Sequence, residues 1–466
     1  MASPKHIYVE TYGCQMNVAD SEVVMSIMYD RGYRITKDLS RADVILVNTC
    51  SVRENAEQRI FGRLGHFKRY KHQNPGVVIA ILGCMAERLR AKLIDEESVV
   101  DVVVGPDEYR KLPSLVEDAA NGTKGIAVKL SRIENYDDIV PLRTDGICAW
   151  MSIMRGCDKF CTFCIVPFTR GRERSRSVAS VVREVEELSA RGFKEVTLLG
   201  QNVNSYRDGE YDFADLLTWV AAIDRSIRVR FTTSHPQDMS DKLIETIARY
   251  ENICNYIHLP VQSGSDRVLG LMNRTYDRKH YLNLVKKIKA VIPGVSLSTD
   301  IIAGFPTETE DDHRMTLDLL QEVRFDGAFM FKYSPREHTP AYRMGDDVAD
   351  EVKVRRLTEI IELQHRIAHE NNQSLIGHRV EVIVEGESKK SEDEWTGRTE
   401  TNKVVVFPRG NCRTGEYIRV NISRATSATL FGELVGEAQK TKCVAENEES
   451  MFVLKSVTST VGRRHV

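Results

Sequence analysis

The sequence predicts an α/β chain in three parts: an amino-terminal parallel α/β domain, a central partial (βα)6 barrel and a carboxy-terminal small antiparallel β-barrel. Short apolar runs alternate with amphipathic helical stretches through the amino-terminal quarter. From residue 147 a second series of six strand and helix segments begins, and between 376 and 439 five short strands crowd together. At 466 residues, 42% hydrophobic and 28% charged, the chain is long enough for about three such domains.

In residues 4–120 the runs "HIYVETYG", "ADVILVNTC", "VVIAILGC" and "VDVVVG" read as parallel strands, separated by helical stretches such as 18–31 and 53–71. Cys14, Cys50 and Cys84 each fall just after one of the first three strands. The carboxyl ends of strands in an open α/β sheet face the ligand crevice, so three thiols from three βα units are expected to converge there. Each also precedes a helix N-terminus, whose dipole favours a thiolate. Three independent core cysteines are the ordinary alternative, but repetition at three equivalent positions favours convergence. Residues 121–146 are polar and turn-rich and read as a linker.

The central part, 147–375, offers the strands "AWMSIMRG", "EVTLLG", "RVRFTTS", "NYIHLPV", "VSLSTDIIAGF" and "GAFMFKYS", with helical periodicity over 178–191, 212–223, 239–250, 277–291 and 309–324. No glycine-rich dinucleotide fingerprint is present, which favours a barrel over a Rossmann domain. "YSPREHTPAYRMGDD" breaks the pattern, and 347–375 then reads as one long helix. Residues 376–439 supply "HRVEVIVEG", "EWTGRTE", "NKVVVFP", "GEYIRVNIS" and "ATLFGELV", while the tail, 440–466, has no assignment. Between Ile376 and Gln439, 9 Lys or Arg face 10 Asp or Glu, so charge gives this barrel no RNA-binding signature.

The net charge of −2 argues against a uniformly basic nucleic-acid binder. No apolar run approaches the roughly 18 residues of a membrane span, and "MASPKHIYVE" lacks the apolar stretch of a signal peptide. A cytoplasmic protein without membrane contact is expected. Ten cysteines in such a chain point to metal binding before disulfides.

"MRGCDKFCTFCIVPFTRGRERSR", residues 154–176, holds Cys157, Cys161 and Cys164 with gaps of three and two residues. A closed structural zinc site takes four ligands, so three leave a position open. That fits a 4Fe-4S cluster with one iron free for an exogenous ligand. Zinc would need Cys148, His235 or Cys254 as a fourth ligand, none at a usual short spacing. CxxxCxxC after the first strand of a βα barrel, with the aromatic Phe163 before the last cysteine, resembles the signature of radical S-adenosylmethionine enzymes. In that family these three cysteines hold a cluster whose open iron is chelated by the amino and carboxylate groups of S-adenosylmethionine.

"TYGCQMN", "NTCSVRENAEQRIFGRLG" and "LGCMAER" resemble the amino-terminal domain of methylthiotransferases, in which the cysteines matching Cys14, Cys50 and Cys84 hold a second, auxiliary 4Fe-4S cluster. "LLGQNVNSY", "HLPVQSGSDRVLGLMNR", "STDIIAGFPTETEDD" and "FKYSPREHTPAY" are similar to the radical core of the same enzymes, and 376–439 to their TRAM domain, which contacts substrate. "YGCQMN", "NTCSVRE" and "CTFCIVPFTRGRE" together most resemble the MiaB-type branch that acts on tRNA. A branch acting on threonylcarbamoyladenosine usually has a Lys-Val pair where this chain has Gln15 and Met16. A branch that modifies a ribosomal protein aspartate differs after the second cysteine.

The resemblance implies insertion of sulfur and a methyl group at carbon 2 of isopentenylated adenosine at tRNA position 37, next to the anticodon, with the other two substrates as the alternative. That C–H bond has no acidic proton, so a general base would accomplish little and a radical is needed. The implied cofactors are two 4Fe-4S clusters and S-adenosylmethionine. The implied partners are the tRNA and an external electron donor, with the chain a monomer.

Gly200, Gln201 and Asn202 end the second barrel strand, Gln262, Ser263 and Gly264 follow the fourth, and Gly304 follows the fifth. These are expected to complete the cofactor pocket, unless they are merely loop-forming residues. Arg170, Arg172 and Arg174 are candidates for RNA phosphate or the cofactor carboxylate, and the basic segments 53–72, 155–176 and 267–289 for the RNA path. Cys148, Cys254, Cys412 and Cys443 read as ordinary thiols, and Glu308, Glu310, Asp311 and Asp312 as helix N-terminal charge.

Overall fold

Val44–Thr49 and Val78–Gly83 are buried at every position, as parallel strands covered on both faces must be. They form the middle of a six-stranded parallel sheet in a computed structural model that describes residues 4–51, 54–143 and 146–435, over 54–58 by the backbone alone. The strands are β1 (His6–Thr11), β2 (Arg34–Ile35), β3 (Val44–Thr49), β4 (Val78–Gly83), β5 (Val102–Val104) and β6 (Gly125–Ala127), in the order β2-β1-β3-β4-β5-β6. Helix Gln15–Asp30 sends Val23, Val24 and Met28 into the core on one face, and helix Glu54–Gln73 sends Ile60, Leu64 and Phe67 into the other.

Part of the segment read as a linker is sheet. β6 pairs with β5, and beyond it the buried Tyr136 donates its hydroxyl to Pro106 O at 2.9 Å and accepts the Tyr109 N–H at 3.0 Å. A three-residue strand is too short to show periodicity, so a polar, turn-rich composition concealed a strap packed onto the domain.

The central strands are β7 (Cys148–Ser152), β8 (Met154–Arg155), β9 (Arg174–Ser175), β10 (Glu195–Leu199), β11 (Arg207–Asp208), β12 (Tyr211–Asp212), β13 (Arg228–Thr232), β14 (Tyr256–His258), β15 (Ser296–Ala303) and β16 (Gly327–Lys332). Parallel sheets β13-β10-β7 and β14-β15-β16 meet at the Val229↔Ile253 bridge, which makes an open arc of six strands backed by helices. The first predicted strand breaks at Ile153. Its second half, β8, turns to pair antiparallel with β9 and clasps the base of loop 156–173.

The last strands are β17 (Arg379–Ser388), β18 (Ser391–Thr399), β19 (Val404–Pro408), β20 (Tyr417–Ala425) and β21 (Thr429–Leu434), closed as β17-β18-β19-β21-β20. One joint, β19 with β21, is parallel, so the barrel is antiparallel at the other four only.

Alternate residues of the central strands face the interior of the arc, and several are charged. Arg230 pairs with Glu195 at 2.8 Å. It also donates to the carbonyls of Glu400 at 2.8 Å and Thr399 at 2.6 Å, while Arg228 donates to the Arg398 carbonyl at 2.8 Å. The end of β18 is thereby seated on the amino-terminal ends of β10 and β13, opposite the carboxyl ends that are left for a site.

Arg230→Met strands a buried carboxylate and two carbonyls, a change expected to cost roughly 3 kcal/mol. Urea unfolding of the variant beside the parent checks this, and an unchanged midpoint would show that the small barrel is not held by this arginine.

Candidate functional site

Loop 156–173 carries the first cysteine trio over the carboxyl ends of the central strands. Gly156 has φ +79°, and a Cβ there would lie 2.0 Å from Arg172 O, so only glycine lets the loop fold back on its own exit. Its N–H donates to Gln201 Oε1 at 2.6 Å, and the Cys157 N–H donates to Gly171 O at 3.1 Å. On the far side the Thr162 N–H donates to Met272 O at 3.0 Å. Cys161 is buried and its sulfur accepts Nη1–H of Arg274 at 3.2 Å. Arg274 is fixed in turn by Tyr276 Oη at 2.8 Å and Pro260 O at 2.8 Å. Burial pushes the Cys157 and Cys164 thiols up to about 12, so without a metal they stay protonated at neutral pH.

The second trio gathers at the ends of β1, β3 and β4, which are neighbours in the sheet. A Cβ on Gly13 (φ +123°) would lie 2.5 Å from Cys50 Cβ, so glycine brings the chain of Cys14 against Cys50. Cys84 opens helix Cys84–Leu89 and is buried beside Cys50, whereas Cys14 is exposed. A hydrogen bond with Cys50, helped by the Arg170 charge and the amides of Asn17 and Met16, brings the Cys14 thiol down to about 6. Burial raises the Cys84 thiol, although Arg170 Nε–H donates to its sulfur at 3.2 Å. Among the described residues no three His, Cys, Asp or Glu side chains surround one point as a single ion requires. A cubane instead offers a different iron to each thiolate, and two trios of thiols, each hydrogen-bonded by a guanidinium, fit that group.

Between the trios lies a buried charge cluster. Asp20 accepts from Arg170 Nη2 at 2.7 Å and from Arg155 Nη2 at 2.5 Å. All three are nearly solvent-free, with exposures of 0%, 3% and 1% for Asp20, Arg170 and Arg155. Burial opposes the charge on Asp20, but the two guanidiniums hold its carboxyl below the usual range. Arg170 Nη1 and both Nε and Nη1 of Arg155 are left without a hydrogen-bond partner.

Gln201, Asn202 and Gln262 stand at the strand ends around the first trio. Asn202 donates to Asp238 Oδ2 at 2.7 Å, Asp238 accepts from Lys159 of the cysteine loop at 2.8 Å, and Asn202 Oδ1 is buried without a partner. Gln262 adopts φ +75° and links β14 to β15 through Asp300 O and the Ile302 N–H. The other expected pocket residues are engaged in packing. Cβ atoms on Gly200, Gly264 and Gly304 would fall 2.7 Å from Met154 Cγ, 2.3 Å from Met315 O and 2.3 Å from Lys353 Cγ. Ser263 is buried beside Thr316. These four fix the strand ends against neighbouring elements.

The assignment of Arg170 and Arg174 to an RNA surface is corrected by their burial. Arg170 serves Asp20 and Cys84, and Arg174 donates to Asp107 at 2.8 Å and to Ser131 O at 2.6 Å. Arg172 alone of the three is exposed, lying over the Phe160 ring and pairing with Asp158 at 3.2 Å. Cys148 and Cys254 sit at the amino-terminal ends of their strands, opposite the cysteine loop, and His235 packs on Tyr276. None of the three supplies a fourth ligand there. Cys412 is half-buried in the small barrel, while Cys443 and the tail lie outside the described residues. Glu310, Asp311 and Asp312 occupy the first turn of helix Glu310–Val323, and Glu308 is buried against Arg356 at 2.9 Å.

Sequence reasoning gave no individual role to Asn17, Asp20, Arg155 and Arg274. Asn17, Asp20 and Ser21 form a polar stripe, at spacings of three and four, on a helix face that is buried, and Arg274 ends the quoted "HLPVQSGSDRVLGLMNR".

Residues 6–105 match the family described as Uncharacterized protein family UPF0004, residues 151–320 the Radical SAM superfamily and residues 373–435 the TRAM domain. The chain is 54% identical over 429 residues to a tRNA-2-methylthio-N(6)-dimethylallyladenosine synthase of Chloroherpeton thalassium, covering 91% of this chain and 95% of the relative. A protein of the same name from Bacteroides thetaiotaomicron is 53% identical over 439 residues, covering 92% and 96%. Among solved structures, the radical S-adenosylmethionine methyltransferase TsrM of Kitasatospora setae matches with a TM-score of 0.56 at 14% identity, over 73% of this chain and 77% of that one, a likeness of fold alone.

In the iron-free protein Cys14 is expected to alkylate first with iodoacetamide, its rate half-maximal near pH 6. Because the folded value lies below the unfolded value of 9.0, the stability from this thiolate is complete above pH 9 and is lost as pH falls through about 6. Mass spectrometry of the alkylated thiols from pH 5 to 9 checks both the order and the midpoint.

Proposed function

The chain belongs to the family of tRNA-2-methylthio-N(6)-dimethylallyladenosine synthases, and we propose its site residues and cofactor loading from that premise. It is a radical S-adenosylmethionine tRNA methylthiotransferase that inserts sulfur and a methyl group at carbon 2 of an isopentenylated adenosine next to the anticodon. Threonylcarbamoyladenosine or a ribosomal protein side chain as substrate is not favoured by these relatives.

Cys157, Cys161 and Cys164 would hold the cluster that takes S-adenosylmethionine, and Cys14, Cys50 and Cys84 the auxiliary one. When bound, the first supplies the electron that splits S-adenosylmethionine to a 5′-deoxyadenosyl radical, and the second supplies sulfur. The observation that carries the auxiliary cluster is the gathering of Cys14, Cys50 and Cys84 at three neighbouring strand ends beside a buried guanidinium. Arg170 donates Nε–H to the Cys84 sulfur and keeps Nη1 without a partner, a setting that favours an anionic group on these thiols.

The remaining work falls to positioning. Gln201 holds Gly156 and so orients Cys157, and Arg274 holds the Cys161 sulfur. Lys159, Asp238 and Asn202 link the cysteine loop to the end of β10, with Asn202 Oδ1 free for a cofactor donor. Gln262 stands at the end of the fourth barrel strand as a further cofactor contact. Arg172, exposed on this loop, is the arginine we assign to an RNA phosphate. An external electron donor, a cytoplasmic setting and a monomeric chain complete the proposal. Among the described residues no helix is long and apolar enough to cross a membrane.

Anaerobic reconstitution is expected to load about 8 iron per chain, and about 4 in the Cys14→Ala, Cys50→Ala, Cys84→Ala variant. That variant should still cleave S-adenosylmethionine yet give no methylthio product. The parent should modify isopentenylated tRNA and leave unmodified tRNA untouched. A parent that stops at about 4 iron sinks the auxiliary site, and product on unmodified tRNA sinks the substrate.

A further inference from the structure

We propose that Arg170 is a positioning and redox-tuning residue of the auxiliary site, setting the charge and reduction potential of a cluster on Cys14, Cys50 and Cys84, with Asp20 as its counterweight. This rests on the reading that those cysteines hold a cluster. Three observations support it.

Arg170 reaches the trio by an Nε–H bond to the Cys84 sulfur at 3.2 Å, from an almost fully buried side chain. Hydrogen bonds to cluster sulfurs and nearby charge are established levers on potential, and both act strongly where water is excluded. The hydrogen-bond partners of Arg170 come from two elements of the amino-terminal domain. Asn17 and Asp20 come from helix Gln15–Asp30, at 3.1 and 2.7 Å, Cys84 comes from its own helix, and Arg155 reaches the same carboxylate from β8. The Tyr109 hydroxyl also donates to Asp20 at 3.4 Å, Cys14 lies within charge range, and Asp107 farther off is paired with Arg174, so Asp20 is the carboxylate bonded to the guanidinium. Finally, Arg155 and Arg170 stand at the two shoulders of the loop bearing Cys157, Cys161 and Cys164, so one carboxylate fixes both cysteine sites to each other.

The sign follows from charge. The couple is a one-electron reduction in which no bond is made or broken, and the reduced form is the more negative. A guanidinium donating to a cluster sulfur stabilises that form and raises the potential. Removing the guanidinium lowers it, whereas neutralising Asp20 raises it. A merely structural cluster of ion pairs has no reason to give opposite shifts, because either change breaks the same contact.

The test uses the full chain with Cys157, Cys161 and Cys164 changed to Ala, reconstituted anaerobically and titrated with dithionite and mediators while the reduced cluster is followed by electron paramagnetic resonance. Relative to that parent, Arg170→Met is expected to shift the midpoint to more negative potential and Asp20→Asn to more positive, with Arg170→Lys between Arg170→Met and the parent. Equal midpoints in all variants, or shifts of one sign for Arg170→Met and Asp20→Asn, overturn the proposal. If Arg170→Met takes up no iron, Arg170→Lys against Asp20→Asn gives the same opposed comparison. A parent that takes up no iron at all refutes the cluster itself and not the role of Arg170, so the two failures remain distinct.

Discussion

Asp20 is a carboxylate with no access to water, placed where the amino-terminal domain meets the central arc. Removing a carboxylate from water costs several kcal/mol, and only partners of opposite charge in good geometry offset that. Both of its charged partners, Arg155 and Arg170, belong to the other domain and flank the same loop, while the Tyr109 hydroxyl donates to it from its own domain. The two domains therefore have one relative placement in which this charge is satisfied. In that placement the Cys84 sulfur lies within a hydrogen bond of Arg170, and the Cys157 loop begins one residue beyond Arg155. The strap around Tyr136 reinforces the joint, its ring lying 4.6 Å from the Arg155 guanidinium.

The central arc has two unlike ends. At the carboxyl ends of its strands stands the cysteine loop, with the buried Asn202 Oδ1 left without a partner beside it. At the opposite end, Arg228 and Arg230 bind the end of β18 through its carbonyls. The asymmetry separates the two jobs of the arc, its site at one end and the seat of the small barrel at the other, where a cavity of about 300 Å³ remains between Tyr256, Ser298 and Asn402.

Much of the architecture was legible because it depends on period and composition. The β-branched runs of β3 and β4, the helices of the arc and the five strands of the small barrel all show local patterns longer than a turn. What escaped was short or long-range. β2 and β6 have two and three residues and gain their identity only from a neighbour in the sheet. Arg170 and Arg174 stand in a run of arginines that looks like a basic surface, and their burial depends on Asp20 and Asp107, distant in sequence. Six cysteines were visible through spacing and strand position, but the guanidiniums on Cys84 and Cys161 were not, because hydrogen bonds between residues 86 and 113 apart leave no mark in spacing.

The contact between the arc and the small barrel has an unusual grammar. Arg228 and Arg230 grip Arg398, Thr399 and Glu400 by their main-chain carbonyls. Any amino acid supplies that oxygen. At these three positions the joint reads the path of the chain and not its lettering, while sequence enters the seat through Glu381, Lys403 and Tyr417, so the end of β18 can change its side chains where those three cannot.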